Sequence, residues 1–290
     1  HTIFKCDWSA DLCASYLPDV HMAFPYLSAV IAYIYELAPE TVKCDAACIE
    51  ALVHPDDLAV YRASFAQSAA SLAPWHLEYR VCLPAQGLRW RLGDAKPRRL
   101  PDGATVWHGF ITDITERKRI EAELQELATT DGLTRLANRR HFMSCLEAHF
   151  AYLRRTNGLP AAILMFDLDL FKNINDRWGH AVGDEALRHF ADILRMELRT
   201  ADMAGRLGGE EFAVLLTLAD LKGACVVGQR IQRRLATQLL AHGRETIPLT
   251  VSIGITELRM DDADTEAALS RSDQALYLAK KNGRNRIECA

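Results

Sequence analysis

Arg206-Leu207-Gly208-Gly209-Glu210-Glu211-Phe212 sits between two strand-like apolar stretches, Met203 to Leu207 before it and Phe212 to Leu216 after it. The Gly-Gly pair therefore falls at a hairpin turn, where positive φ is accessible and backbone N–H groups can approach a ligand closely. The two acids stand at the start of the returning strand. A hairpin of this kind is suited to holding phosphates and a metal ion. Alone, the same run also describes an ordinary hairpin with surface glutamates, so the rest of the chain has to decide.

Working outward, the apolar strand Ile163 to Phe166 ends in Asp167-Leu168-Asp169, and the hairpin should lie beside it. Three or four carboxylates then meet at one sheet edge. Two carboxylates about 4 Å apart repel by roughly 4 kcal/mol at an effective dielectric near 20, a cost that a divalent cation removes. Oxygen-only ligands favour Mg²⁺ or Mn²⁺ over zinc. Asp169 is expected to point away and solvate the strand edge. The stretch Phe171-Lys172-Asn173-Ile174-Asn175-Asp176-Arg177-Trp178-Gly179-His180-Ala181-Val182-Gly183-Asp184 follows. Asn175 and Asp184 supply what a guanine needs: an amide for the O6 and ring-nitrogen side, a carboxylate for N1–H and the exocyclic amine. Each residue also has a plain alternative, Asp184 as the N-cap of the next helix and Asn175 as a turn residue.

The remaining pattern from Asp131 onward alternates longer helices with short apolar strands. Helices are expected over Gly183 to Arg195, Ala224 to Leu240 and Glu266 to Lys281, with a strand over Thr250 to Ile255. The order βα, hairpin, α, β, α predicts a central sheet, with its helices on one face as the economical arrangement. Before Asp131 the chain reads as a smaller mixed unit, short helical stretches first and antiparallel strands late. Trp75 to Val81 and Leu88 to Leu92 alternate around the Ala85-Gln86-Gly87 turn, and Thr105 to Thr112 follows the Pro101-Asp102-Gly103 turn. Asp113 then caps a charged helix with Glu116 three residues on, and Ile120, Leu124 and Leu127 form a narrow apolar stripe that fits a twin helix.

The chain's 290 residues, 49% of them hydrophobic, suffice for two cores. A formal charge of -4 and a pI near 6.2 give no overall basic field for nucleic acid or an anionic membrane, so a bound polyanion must meet local cations. Eight cysteines, at 6, 13, 44, 48, 82, 145, 225 and 289, are scattered. The close pair Cys44 and Cys48 lacks partners for a zinc site, and reduced thiols in a cytoplasmic protein are expected. No apolar run spans a bilayer and no signal peptide is read. A start at His1 rather than methionine fits a piece of a longer protein.

The motif from Asp167 to Asp184, then Gly208-Gly209-Glu210-Glu211-Phe212, then Tyr277-Leu278-Ala279-Lys280-Lys281-Asn282-Gly283-Arg284-Asn285, preceded by Asp131-Gly132-Leu133-Thr134-Arg135-Leu136-Ala137-Asn138-Arg139-Arg140, resembles the GGDEF family of diguanylate cyclases over about residues 129 to 288. The resemblance implies an α/β domain of the nucleotide-cyclase, palm-like kind. It implies condensation of two GTP molecules to cyclic di-GMP with release of two pyrophosphates, by two protomers whose sites face each other. Asp167, the backbone carbonyl of Leu168 and Glu210 would hold two Mg²⁺ or Mn²⁺ ions. Glu211 would assist metal binding or take the proton of the attacking hydroxyl. Asn175 and Asp184 would read guanine, with Phe171, Gly208 and Gly209 beside the substrate. Lys172, Lys280 and Arg284 would neutralise the triphosphate, Gly283 breaking the last helix so that Arg284 turns back. Arg199-Thr200-Ala201-Asp202 stands at the offset of the family's product-inhibition site, and Arg230 matches its second arginine.

The N-terminal unit resembles a PAS sensor domain on His54-Pro55-Asp56-Asp57, Glu78-Tyr79-Arg80, the Trp90 strand and Gly109-Phe110-Ile111-Thr112-Asp113-Ile114-Thr115-Glu116-Arg117. The division expected is a PAS sensor at 1–115, a connecting signalling helix at 116–130 and a cyclase domain at 131–290. Residues 10 to 50 diverge from the pattern, and the PAS ligand is unknown. His21, His54, His76 and His108 are conceivable haem ligands, although an isolated His in such a core or loop is more often structural. Two rivals remain: a module that binds GTP or cyclic di-GMP without turnover, and a cyclase for other nucleotides, which Asp184 disfavours.

Overall fold

A computed structural model describes the backbone of residues 9–17, 20–44, 47–101, 103–156, 158–243 and 245–290, and side chains from residue 28 on apart from Lys43 and Cys44. Asp102 and the side chains of His21 and Cys44 lie outside the described residues. The chain divides into two compact units, His1–Glu123 and Leu124–Ala290.

In the first unit, strands β1 (Ser9–Leu17) and β2 (Val20–Leu27) come first. Short helices α1 (Ile31–Tyr35), α2 (Pro39–Cys44) and α3 (Ala47–Glu50) and the longer α4 (Pro55–Ser71) follow. Strands β3 (Trp75–Leu83), β4 (Gly87–Arg99) and β5 (Thr105–Asp113) then complete an antiparallel sheet in the order β2-β1-β5-β4-β3. The late strands are where the alternation placed them. The sheet has five strands rather than three, because β1 pairs with β5 across most of the unit's length and no local turn advertises that pairing. Its core is aromatic, with Tyr61, Phe65, Trp75, Tyr79 and Trp107 buried together and Phe65 stacked on Trp75 at 4.1 Å between centroids. His54 caps α4, its Nδ1 accepting from the Asp56 N–H at 3.3 Å, and His76 meets Asp94 at 3.0 Å.

Arg91 is wholly buried. Its guanidinium donates to the Ile34 and Trp90 carbonyls and pairs with Asp113 Oδ2 at 2.8 Å, while Asp113 Oδ1 accepts from the Thr115 N–H at 2.8 Å. Helix α5 (Thr115–Thr129) begins there, fastened by Arg117 and Lys118 to Glu78. It has no buried residue, and Ile120, Leu124 and Leu127 are 42%, 61% and 75% exposed.

In the second unit, β6 (Ala137–Asn138) and α6 (Arg139–Thr156) precede the central strand β7 (Ala161–Leu168). Helices α7 (Phe171–Trp178) and α8 (His180–Glu197), the hairpin of β8 (Met203–Gly208) and β9 (Glu211–Thr217), and helix α9 (Leu221–Thr237) come next. A small hairpin of β10 (Leu240–His242) and β11 (Glu245–Ile247), strand β12 (Val251–Glu257), helix α10 (Thr265–Lys281) and β13 (Ile287–Cys289) close the chain. The main sheet runs β13-β12-β7-β9-β8-β6.

Helices cover both faces of this sheet, not one as expected. Every residue of β7 is buried. Leu164, Phe166 and Leu168 pack with α7, α8 and α9, whereas Ile163 and Met165 pack with α6 and α10. An uninterrupted apolar strand is what a sheet covered twice requires. Leu240 is not the end of α9 but the first residue of β10, because the helix stops at Thr237.

Candidate active site

The hairpin turns through Gly209, at φ +48°, and Glu210, with Glu211 opening β9. Only the second acid is thus in the strand; the first lies in the turn. Arg206 braces that turn: its Nε donates to the Gly209 carbonyl at 2.9 Å and its Nη1 reaches Asp131 Oδ1 at 3.3 Å. Asp131 also accepts from the Thr134 N–H at 2.8 Å and hydroxyl at 2.6 Å. Burial alone would push the Asp131 carboxyl up, but the Thr134 bonds and the Arg206 guanidinium hold it below its ordinary value. The opening motif of the domain is therefore a strut for the glycine turn.

In register, Asp167 at the end of β7 faces Glu211 on β9 and Ser252 on β12. Glu210 is tied in through its carbonyl, which accepts from the Leu168 N–H at 3.3 Å. Burial raises the Asp167 pKa above its ordinary value; Lys280 pulls it down, and the charges of Glu210 and Glu211 add to the rise. Lys280 Nζ lies 2.7 Å from Asp167 Oδ2. Lys280 is on the last turn of α10, whose end is set by Asn282 and by Gly283 at φ +114°; Arg284 follows, exposed and at φ +59°, its backbone N–H donating to the Ala279 carbonyl at 3.0 Å.

Asp169 does not solvate the strand edge. It is 7% exposed, and its carboxylate accepts from Ser252 Oγ at 2.7 Å, Thr250 Oγ1 at 2.8 Å and the Asn285 N–H at 3.0 Å. The two aspartates of one motif have separate jobs, Asp167 beside the glutamates and Asp169 as the anchor of the turn that carries Arg284.

Asn175 lies in α7 and not in a turn, and Asp184 is the fifth residue of α8, well past its N-cap Gly179. Both plain alternatives fall away, and both side chains are half-buried. The two helices meet at Gly183, where a Cβ would stand 1.9 Å from Asn175 Oδ1. The glycine makes room for that amide. Lys172 is exposed on α7, whereas Phe171 is 8% exposed and belongs to the core.

The family model for the diguanylate cyclase GGDEF domain matches residues 128–286. The chain belongs to the GGDEF family. A second model, the PAS fold, matches residues 24–111. Diguanylate cyclase A of Treponema denticola is 38% identical over 169 residues, 57% of this chain and 45% of that protein. The probable diguanylate cyclase DgcC of Escherichia coli K12 is 40% identical over 185 residues, 64% of this chain and 48% of that protein. Among solved structures, the coiled coil and GGDEF domain of DgcB from Caulobacter crescentus in complex with c-di-GMP superposes with a TM-score of 0.57 at 31% identity, covering 60% of this chain and 93% of that one. The chain spans about half the length of the curated relatives it matches.

The GGDEF domain's donor set fits a hard divalent cation: carboxylates and a backbone carbonyl, oxygen throughout, around a buried Asp167 whose charge is opposed by two neighbouring acids. Among the described residues no three His, Cys, Asp or Glu side chains already converge as a cage, and Lys280 is the cation on Asp167. No helix among the described residues is long and apolar enough to cross a membrane.

The three residues expected to bind product do share a cavity, of about 150 Å³, lined by Arg199, Asp202 and Arg230 with Thr217 and Asp220. Two of them are already engaged. Asp202 accepts from the Arg199 and Thr217 backbone N–H groups at 3.1 and 3.2 Å, and Arg230, with Arg234, pairs with the buried Glu197. Arg199 is exposed. Sequence reading passed over Glu197, Gly183, Thr250, Ser252 and Asn285. Thr250 and Ser252 had a visible signal, polar residues at alternate positions of an otherwise apolar strand.

Proposed function

We propose that residues 131–290 form a diguanylate cyclase that joins two GTP molecules into cyclic di-GMP with release of two pyrophosphates. Residues 1–115 act as its PAS sensor and 116–130 as the connecting signalling helix. The observation that carries the reading is the pairing of Asp167 with Glu211 in register, Glu210 held against Leu168 and Lys280 alongside. Asn175 on α7 and Asp184 on α8, next to the glycine where the two helices meet, read the guanine edge. Lys172, Lys280 and Arg284 offset the triphosphate charge, and the backbone at Gly208 and Gly209 lets phosphate approach closely. Asp167, the Leu168 carbonyl and Glu210 would hold two Mg²⁺ or Mn²⁺ ions, which when bound would supply Lewis-acid polarisation of the phosphate and of the 3′-hydroxyl.

Glu211 takes the hydroxyl proton as the 3′-oxygen forms its bond to the α-phosphorus of the GTP held by the opposite protomer and pyrophosphate leaves. Two such events close the ring, so the site is complete only in a homodimer. The exposed stripe of Ile120, Leu124 and Leu127 supports pairing through α5. Product inhibition through Arg199, Asp202 and Arg230 belongs to the same reading and requires Asp202 and Arg230 to exchange their present partners. Use of GTP places the domain in the cytoplasm.

The test is to strip bound nucleotide from the chain, add GTP with Mg²⁺ and read products by mass. Cyclic di-GMP from the parent and none from a folded Glu211→Gln is the expected result. Full activity in that variant removes Glu211 from the mechanism, and a dimeric parent that binds GTP without product favours the binding module.

A further inference from the structure

At the edge of the main sheet two sulfurs meet that the reaction does not use. Strand β13 runs parallel to β12, with Ile287 opposite Ile253 and Cys289 opposite Ile255. Two-residue alternation puts Ile287 and Cys289 on one face of β13. Helix α9 packs on that face through Gly228, where a Cβ would lie 3.0 Å from Ile287 Cδ1 and 3.5 Å from Ile255 Cδ1. The missing side chain lets the helix come down close. Cys225 is three residues earlier, on the same side of the helix. Its Sγ comes 3.2 Å from Cys289 Sγ. Bond formation at about 2.05 Å asks the sulfurs to approach by roughly 1 Å. Cys225 is half-buried and Cys289 exposed, so a small reagent has access.

We propose that Cys225 and Cys289 are a reversible disulfide site, closed by thiol–disulfide exchange with a low-molecular-mass disulfide. The Cys225 thiolate attacks one sulfur of the small disulfide, expels one small thiolate and leaves a mixed disulfide. Cys289 gives its proton to solvent, attacks Cys225 Sγ and expels the second thiolate. Two protein thiols are oxidised to one S–S bond, and the reagent's S–S bond is reduced to two thiols that take up the two protons. Partial shielding of the Cys289 sulfur by its neighbours, its hydrogen bond with Cys225 and the Glu288 charge push its thiol up to about 12, although the residue itself is exposed. The thiolate is the attacking form, so closure speeds up as pH rises.

The crosslink staples the last strand to α9. That strand follows Arg284 and Asn285, and the Asn285 N–H is fastened to Asp169, so the staple secures the chain just beyond the turn that carries Arg284. It spans 64 positions of the chain, a long loop for the unfolded state to close.

The whole chain, reduced and desalted, is incubated with oxidised glutathione, its remaining thiols are alkylated, and it is read by intact mass, peptide mapping and thermal unfolding. The expected result is loss of two thiols, a crosslinked Cys225–Cys289 peptide and a midpoint higher by on the order of 10 °C. Reductant reverses all three, and Cys225→Ser and Cys289→Ser, which match the parent when reduced, show none. Stable glutathione adducts without a crosslink, a crosslink that maps to other cysteines, or a crosslink that leaves the midpoint unchanged would each overturn the proposal.

Discussion

Placing alanine at position 183 should weaken GTP binding while leaving the fold as stable or more so. Its Cβ would fall 1.9 Å from Asn175 Oδ1, 3.0 Å from its Cγ and 3.3 Å from Phe171 Cζ. The severe contact is with the tip of one side chain, which can rotate away, so the helices need hardly move. Gly183 is the fourth residue of α8, where alanine is favoured over glycine by about 1 kcal/mol, so the thermal midpoint should hold or rise. What moves is the amide. If it makes one neutral hydrogen bond to guanine, losing that bond costs about 1 to 1.5 kcal/mol, a rise in KM of roughly 5- to 13-fold. In that role the amide would touch the base and not the reacting atoms, so kcat should change little. Pyrophosphate release against GTP concentration, with thermal unfolding alongside, separates these effects. An unchanged KM in the folded variant refutes the assignment of Asn175. A lowered midpoint shows that the glycine serves packing and not the amide.

Burial and the neighbouring glutamates hold Asp167 above its reference value of 3.8, so the folded chain keeps this proton to higher pH than the unfolded chain. Its contribution to stability is therefore lost as pH rises from that reference value through the folded pKa. Asp167→Asn should abolish product and flatten that part of the midpoint-against-pH curve; a parent whose midpoint rises with pH relative to the variant contradicts the sign. Arg199→Ala should leave early product formation intact and relieve inhibition by accumulated cyclic di-GMP, and unchanged inhibition makes the arginine structural. Arg91→Ala leaves Asp113 and the Ile34 carbonyl without their buried partner and should cost about 3–5 kcal/mol by denaturant unfolding, whereas a loss under about 1 kcal/mol shows that the pair carries little.

Local chemistry made much of this chain legible. A glycine pair between apolar runs and an acid at the end of a buried strand announce themselves within a few residues, and β8, β9 and β7 lie where those signals put them. Helix α7 was not among the expected helices, because Asn175 taken alone also reads as a turn residue, while its helical face is set by Phe171 and Ile174 packing inward. The second layer of helices was encoded in the unbroken apolar run of β7, which a one-sided sheet does not need. The work of Asp169 was hidden because its partners, Thr250, Ser252 and Asn285, lie 81, 83 and 116 positions away. Glu197 drew no notice because only the fold brings Arg230 and Arg234 to it.

The triple grip of Asp169 has a consequence for how the site tolerates change. One small carboxylate sets the spacing between the end of β7, strand β12 and the turn after α10. The acid that confronts Glu211 and the arginine assigned to phosphate are thus referenced to the same point, and neither can drift without tugging the other. Positions 169, 250, 252 and 285 behave as a single fixture. A lengthened side chain at 169, or a lost hydroxyl at 250 or 252, would be felt as misalignment between Asp167 and Arg284.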